Sequence, residues 1–185
     1  MMSNKYRILG IDPGTNVLGY SIIQADNNKL VLVEFGVVTM KHLPSQQLKL
    51  KRIFERLQEL IALHSPSQVA IEAPFYGKNV QSMLKLGRAQ GVAIAAAITK
   101  GIEVTEYSPK KIKQSVTGNG NASKEQVAAM LCNILHEKFD EKLLDATDAL
   151  ATAVCHYFQS SSLLSGKKKY NDWSNYAKDN PGRVS

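Results

Sequence analysis

The sequence is poor in cysteine and has no long hydrophobic run. Two of its 185 residues are cysteines, Cys132 and Cys155, and they form no Cys-x-x-Cys pair, which excludes a disulfide framework and a zinc ribbon. The longest strongly apolar stretch, residues 92–98, is much shorter than the ~20 residues that cross a bilayer. Residues 1–7 carry no apolar run of the secretory type. These absences predict a cytoplasmic protein that does not contact a membrane.

Acidic residues are the scarcer charge. There are 16 Asp and Glu against 23 Lys and Arg, which gives a net charge of +7 and a pI of about 9.4. The hydrophobic content of 44% is ordinary for a globular protein. A positive net charge favours a polyanionic partner, most commonly a nucleic acid, and the alternative is a basic protein without such a partner.

Hydrophobic periodicity predicts five strands and five helices in an α/β arrangement. The first three strands are joined by short turns and form an antiparallel meander, with Gly36 as the position of a bulge. A helical crossover then leads to a short apolar strand, which is typical of parallel pairing. The predicted strands span residues 7–12, 19–24, 30–39, 68–72 and 102–107, and the predicted helices span residues 47–64, 79–100, 109–117, 123–136 and 144–159. This order predicts a mixed five-stranded sheet with helices on both faces.

The composition changes near residue 160. The segment 161–185 contains Lys167, Lys168 and Lys169 and few aliphatic residues, so it cannot bury a core of its own. We therefore predict one domain over residues 1–160, followed by a basic, disordered tail over residues 161–185.

Four acidic residues lie where these elements are expected to converge. Asp12 and Glu72 each end a predicted strand, and Asp145 and Asp148 are three residues apart at the start of the last helix, so they share one helix face. Unpaired acids repel each other unless a hard divalent cation lies among them, and Mg²⁺ prefers carboxylate oxygens. Each acid also has a simpler interpretation: a turn-closing side chain for Asp12, an exposed strand end for Glu72, and solvated first-turn acids for the helical pair. A site of three acids could be completed by Asp148 without Asp145.

Several motifs in the same order resemble the RuvC family of crossover junction endodeoxyribonucleases. They are residues 8–14 (ILGIDPG), 19–20 (GY), 70–72 (AIE), 78–79 (KN), 84–87 (LKLG), 88–93 (RAQGVA), 116–120 (VTGNG) and 145–151 (DATDALA). The resemblance is collinear from about Tyr6 to Phe158. It implies an RNase H-like (retroviral integrase-type) fold, a homodimer, and partnership with the RuvA–RuvB branch-migration complex.

The resemblance also implies the activity and its residues. It implies resolution of Holliday (four-way) DNA junctions by paired symmetric nicks, with two Mg²⁺ ions held by Asp12, Glu72, Asp145 and Asp148 and with Mn²⁺ able to substitute. The DNA-contacting residues that it implies or that fit it are Phe75, Lys78, Lys85, Lys113 and Lys124. Core packing for Phe75 and a solvated face for the lysines are the alternatives.

Three other functions fit part of the sequence. Residues 10–15 (GIDPGT) also resemble the phosphate loop of actin-like ATPases and sugar kinases, but those proteins need a second such half for which 185 residues leave no room. A non-catalytic nucleic-acid-binding module of the same fold would not need all four acids. A related RNase H-like nuclease that acts on RNA remains the enzymatic alternative.

Substitution of Phe75 separates its two interpretations. If the ring stacks on an opened base, Phe75→Ala should retain its thermal stability but cleave intact four-way junctions poorly, since one stacked base contributes ~1–3 kcal/mol. Junctions that already carry unpaired bases near the nick should partly restore cleavage. A loss of ~3–5 kcal/mol in the free energy of unfolding would instead show that Phe75 belongs to the core.

Overall fold

The computed structural model describes residues 5–26, 29–74, 79–137 and 144–164. Within these ranges the strands are β1 (Tyr6–Asp12), β2 (Val17–Asp26), β3 (Lys29–Thr39), β4 (Gln68–Glu72) and β5 (Glu103–Tyr107). The helices are α1 (Gln46–His64), α2 (Val80–Ile98), α3 (Pro109–Thr117), α4 (Lys124–Leu135) and α5 (Leu144–Leu164). Among the described helices, none combines the length and the hydropathy that a membrane span requires.

The strands form one mixed sheet in the order β3-β2-β1-β4-β5. β1 pairs antiparallel with β2, and β2 with β3, which confirms the predicted meander. β4 pairs parallel with β1 on one side and with β5 on the other, as the helical crossovers require. The predicted α/β class and the mixed five-stranded sheet are confirmed.

Helices cover both faces of the sheet, and alternate residues of β1 supply the two cores. Leu9 and Ile11 point to the face that is covered by α1 and α2. Ile8 points to the opposite face, against α3, α4 and α5, because successive side chains of a strand lie on opposite sides. Asp12 therefore emerges on the α5 side of the sheet.

Helix α5 approaches the middle of the sheet closely. A Cβ on Gly10 would lie 2.3 Å from the Ala149 carbonyl oxygen and 2.8 Å from the Ala153 Cβ. The buried Ser21 hydroxyl on β2 donates a hydrogen bond of 3.0 Å to the same carbonyl. Small residues on both elements allow this contact, which fixes α5 over β1 and β2.

Two predicted details are wrong. The irregularity in the β2–β3 ladder lies between Ile22 and Ile23, not at Gly36, where the phenol of Tyr20 occupies the space that a side chain would need. Helix α5 continues to Leu164, beyond the predicted helix end at residue 159. Ser160 does not end the helix, because its hydroxyl bonds the carbonyls of His156 and Tyr157 within it. The tail from residue 165 onward lies outside the described residues.

The contact between α5 and β1 makes Gly10 intolerant of a side chain. We expect Gly10→Ala to lower the free energy of unfolding by about 2 kcal/mol or more, because the added methyl group overpacks a buried contact with backbone. Urea denaturation measures this change. The control is Asn133→Ala, at an exposed position of α4, where helix propensity favours alanine. Equal stability of the two variants would contradict the assignment of this contact.

Candidate active site

Three acidic side chains line a cleft at one edge of the sheet. Asp12 ends β1 and Glu72 ends β4, and the parallel pairing of these strands brings their carboxyl ends together. Asp148 reaches the same cleft from α5. The cleft has a volume of about 330 Å³. The structure thus brings these three of the four predicted acids to one cleft.

Two lysines line the same cleft as the acids. Lys113 on α3 and Lys124 on α4 line the cleft together with the acids. The remaining lining is mainly apolar and comes from Pro109, Ile112, Val127 and Ala151. The cleft therefore has a carboxylate wall, formed by the sheet and α5, and a basic wall, formed by α3 and α4.

The carboxyl group of Glu72 is strongly perturbed. Its burial, followed by the negative charges of Asp12 and Asp148, raises its pKa to about 8, while Lys124 and Lys113 act in the opposite direction. Glu72 is partly buried, so the interpretation of this residue as an exposed strand end is wrong. The cleft therefore holds carboxyl groups close together where solvent is partly excluded.

Lys124 and Asp148 form an ion pair across the cleft. The Lys124 Nζ lies 2.5 Å from the Asp148 Oδ2. Lys124 is the first residue of α4, whose start is fixed by a capping box in which the side chains of Ser123 and Gln126 bond each other's backbone N–H. About half of the Lys124 side chain is exposed, against 22% for Asp148. The ammonium group is therefore held by the acid cluster and is also open to solvent.

Side-chain hydrogen bonds hold the loop between α3 and α4, which the sequence did not predict. Gln114 donates from its side-chain amide to the Gly118 carbonyl and accepts from the Gly120 N–H. Gly118 ends α3 in the left-handed conformation, with φ of 77°, and the Lys110 stem lies against Gly120. A glutamine four residues before a helix-ending glycine was the available signal. These bonds tie the loop back onto the end of α3.

The remaining predicted residues are placed differently. Lys85 is exposed on α2 and does not line the cleft. Asp145 lies in the first turn of α5, but its side chain is outside the described part of the structure, as are Phe75 and Lys78 altogether. Within the described ranges, no three His, Cys, Asp or Glu side chains form a ready metal-ligand set.

A family model, that of the crossover junction endodeoxyribonuclease RuvC, matches residues 8–156. The chain belongs to the RuvC family. The match covers every element from β1 to most of α5 and includes all the acids of the cleft. It confirms the resemblance that the motifs indicated.

Relatives support the same assignment. The chain is 59% identical to the RuvC endodeoxyribonuclease of Cytophaga hutchinsonii, over 96% of this chain and 87% of that protein. It is 50% identical to that of Porphyromonas gingivalis, over 99% and 100% of the two chains. The solved structure of Thermus thermophilus RuvC in complex with a Holliday junction substrate is similar, with a TM-score of 0.79 and 32% identity over 85% of this chain and 96% of that one.

The raised pKa of Glu72 predicts a pH-dependent stability in metal-free protein. The folded pKa of about 8 exceeds the ordinary glutamate pKa of 4.5, so the folded state holds a proton that the unfolded state releases between these values. Stability should be highest below pH 4.5 as far as Glu72 contributes, and should fall as the pH rises toward 8. We expect Glu72→Gln to remove this slope and to stabilise the protein at pH 8.5 by a few kcal/mol, since each pKa unit corresponds to about 1.4 kcal/mol.

Urea denaturation in EDTA at several pH values measures this effect. Glu103→Gln, an exposed position on β5, is the matched control and should keep the wild-type slope. Identical pH profiles for wild type and Glu72→Gln would show that Glu72 is not the titrating group.

Proposed function

We propose that the chain is a structure-selective endonuclease that resolves four-way DNA junctions by paired symmetric nicks, by hydrolysis of phosphodiester bonds. The proposal rests above all on one observation: Asp12, Glu72 and Asp148 line one cleft opposite Lys113 and Lys124. A carboxylate cluster can direct hydrolysis, and the facing ammonium groups can bind the phosphate. The family membership and the junction complex of the Thermus relative give the substrate.

The acids are suited to hold divalent cations. All the donors are carboxylate oxygens, the ligand type that Mg²⁺ and Mn²⁺ prefer, and the mutual repulsion of Glu72, Asp12 and Asp148 favours a cation among them. We infer that Asp12, Glu72, Asp145 and Asp148 hold two Mg²⁺ ions, with Mn²⁺ as a substitute. When bound, such a pair activates water and stabilises the leaving oxygen.

The cationic residues bind and orient the DNA strand. Lys113 and Lys124 are placed to hold the phosphates at the cleft, and Lys85 on the exposed face of α2 is a further phosphate contact in this proposal, together with Lys78. Phosphate contacts position the strand without reading its sequence. Phe75, which follows the catalytic strand β4, is proposed to stack on an opened base.

Helix α2 supports a homodimer. Val80, Leu84 and Ile98 are exposed to 69%, 57% and 57%, and a Cβ on Gly87 or Gly91 would meet nothing within 4 Å. These five residues recur at steps of three, four or seven residues and give α2 one apolar, small-residue stripe. A second copy packed there would provide the second active site that paired nicks require. Partnership with RuvA–RuvB and a cytoplasmic location, beside chromosomal DNA, complete the proposal.

Asp12→Asn separates chemistry from binding. The variant keeps the shape of the side chain but removes a charge that the cations need, so we expect cleavage of a labelled four-way junction to fall by orders of magnitude. Junction affinity and its salt dependence should remain, since affinity comes mainly from lysines and arginines on phosphates. Gel cleavage and gel shift, run in parallel, measure the two properties.

The controls identify substrate and cofactor. The control variant is Asp26→Asn. Asp26 lies at the opposite edge of the sheet, where β2 ends, so this variant should cleave as wild type does. Wild type should require Mg²⁺ or Mn²⁺, stay inactive in Ca²⁺, and prefer the junction to linear duplex and to RNA. Near-normal cleavage by Asp12→Asn, or wild-type activity in EDTA, would refute the proposed chemistry, and preferential cleavage of RNA would favour the alternative nuclease.

A further inference from the structure

The Lys124–Asp148 ion pair places an ammonium group on an oxygen that the proposed function assigns to metal. The Nζ lies 2.5 Å from the Asp148 Oδ2, which is direct contact. A divalent cation that uses the same oxygen must displace the ammonium group, since two cations cannot share one such position without strong repulsion. The lysine and the metal therefore compete for Asp148.

Lys124 is able to leave Asp148 without any change in the backbone. The capping box holds the start of α4, and about half of the side chain is exposed, so rotation of side-chain torsions alone can move the ammonium group into solvent. Within the cleft, a phosphate between the carboxylate wall and the basic wall would offer the ammonium group a new anionic partner. The same lysine thus has two alternative anions to pair with.

We propose that Lys124 is an exchangeable counter-ion, which neutralises Asp148 in the metal-free enzyme and moves to a DNA phosphate when metal enters. This inference rests on the proposed function of the cleft. It makes metal binding and junction binding mutually favourable: a phosphate that attracts Lys124 frees a metal ligand, and a metal that displaces Lys124 frees a phosphate-binding group. By linkage, each ligand must raise the affinity for the other by the same factor. Lys124 is then a positioning residue that couples the two ligands.

Metal affinity measured without DNA is the first test. Mn²⁺ binding to the full chain is followed by the electron paramagnetic resonance of the free ion, with wild type, Lys124→Met and Lys113→Met. We expect Lys124→Met to bind Mn²⁺ roughly tenfold more tightly than wild type, as is usual for coupled sites. Lys113→Met removes an equal charge from the same cleft and should have a clearly smaller effect.

The Lys113→Met control distinguishes exchange of the specific Lys124–Asp148 ion pair from a general electrostatic effect of positive charge in the cleft. Equal increases in the two variants would mean that any positive charge in the cleft weakens metal binding, and the inference would be overturned. Unchanged or weaker Mn²⁺ binding by Lys124→Met would overturn it as well, since the lysine would then be neutral toward the metal or help to orient Asp148.

A measurement on wild type does not depend on the folding of a variant. The side-chain ¹⁵N resonance of Lys124, assigned by its loss in Lys124→Arg, should shift on addition of Mg²⁺ in the absence of DNA. A resonance that does not move would show that the ion pair persists beside the metal, against the inference.

The coupling itself is tested with a fluorescent four-way junction at constant ionic strength. We expect Ca²⁺ to raise the junction affinity of wild type severalfold, and to have a markedly smaller effect on Lys124→Met. An equal effect of Ca²⁺ on both proteins would overturn the coupling. If neither protein prefers the junction to duplex, the proposed function itself fails. If both prefer it while Lys124→Met leaves Mn²⁺ affinity unchanged, the counter-ion role alone fails.

Discussion

Helix α5 lies against the centre of the sheet at a distance that only small residues permit, and the geometry of the cleft depends on this contact. The absence of a side chain at Gly10 leaves room for the Ala149 carbonyl, and the Ser21 hydroxyl fixes that carbonyl by a hydrogen bond. The contact sets the axial position of the helix as well as its distance from β1. Because Asp148 directly precedes Ala149, the same contact determines how far its carboxylate lies from Asp12. A hydrophobic interface without this polar anchor would fix the register less strictly.

Folding brings the acidic side chains of the cleft together, and this step by itself has an unfavourable free energy. Desolvation and like charge raise the pKa of Glu72 to about 8, so the metal-free fold must be held together by the cores on the two faces of the sheet. Some of the largest fully buried side chains, such as Leu9, Ile22 and Leu57, belong to the core on the α1 and α2 face of the sheet, whereas the cleft lies on the α5 side. The enzyme can therefore lose a carboxylate without losing its fold, which makes neutral substitutions in the cleft informative about chemistry.

The antiparallel meander, the mixed sheet and the nearness of Asp12 to Glu72 could be predicted from the sequence, because they follow from local patterns. The position of Asp12 at the end of a strand and of Glu72 at the end of a parallel neighbour follows from periodicity and crossover rules. The ion pair of Lys124 with Asp148 could not be predicted, since it joins residues 24 positions apart through the packing of α4 on α5. The length of α5 was underestimated because three consecutive serines look like a helix end, whereas Ser160 satisfies its hydroxyl within the helix. Local rules thus located the residues, and tertiary packing determined their partners.

The two walls of the cleft explain how a protein with a net charge of +7 can use an acidic site on a polyanion. The carboxylate wall belongs to the sheet and α5, whereas the lysines belong to α3 and α4, which pack against each other as one unit. This unit is seated on α5 through buried residues such as Ile112 and Leu131, so its distance from the acids is set by an apolar interface that does not respond to salt or pH. Attraction for a DNA strand can then come from the basic wall and the surrounding surface while the acids remain close enough to act on the phosphate.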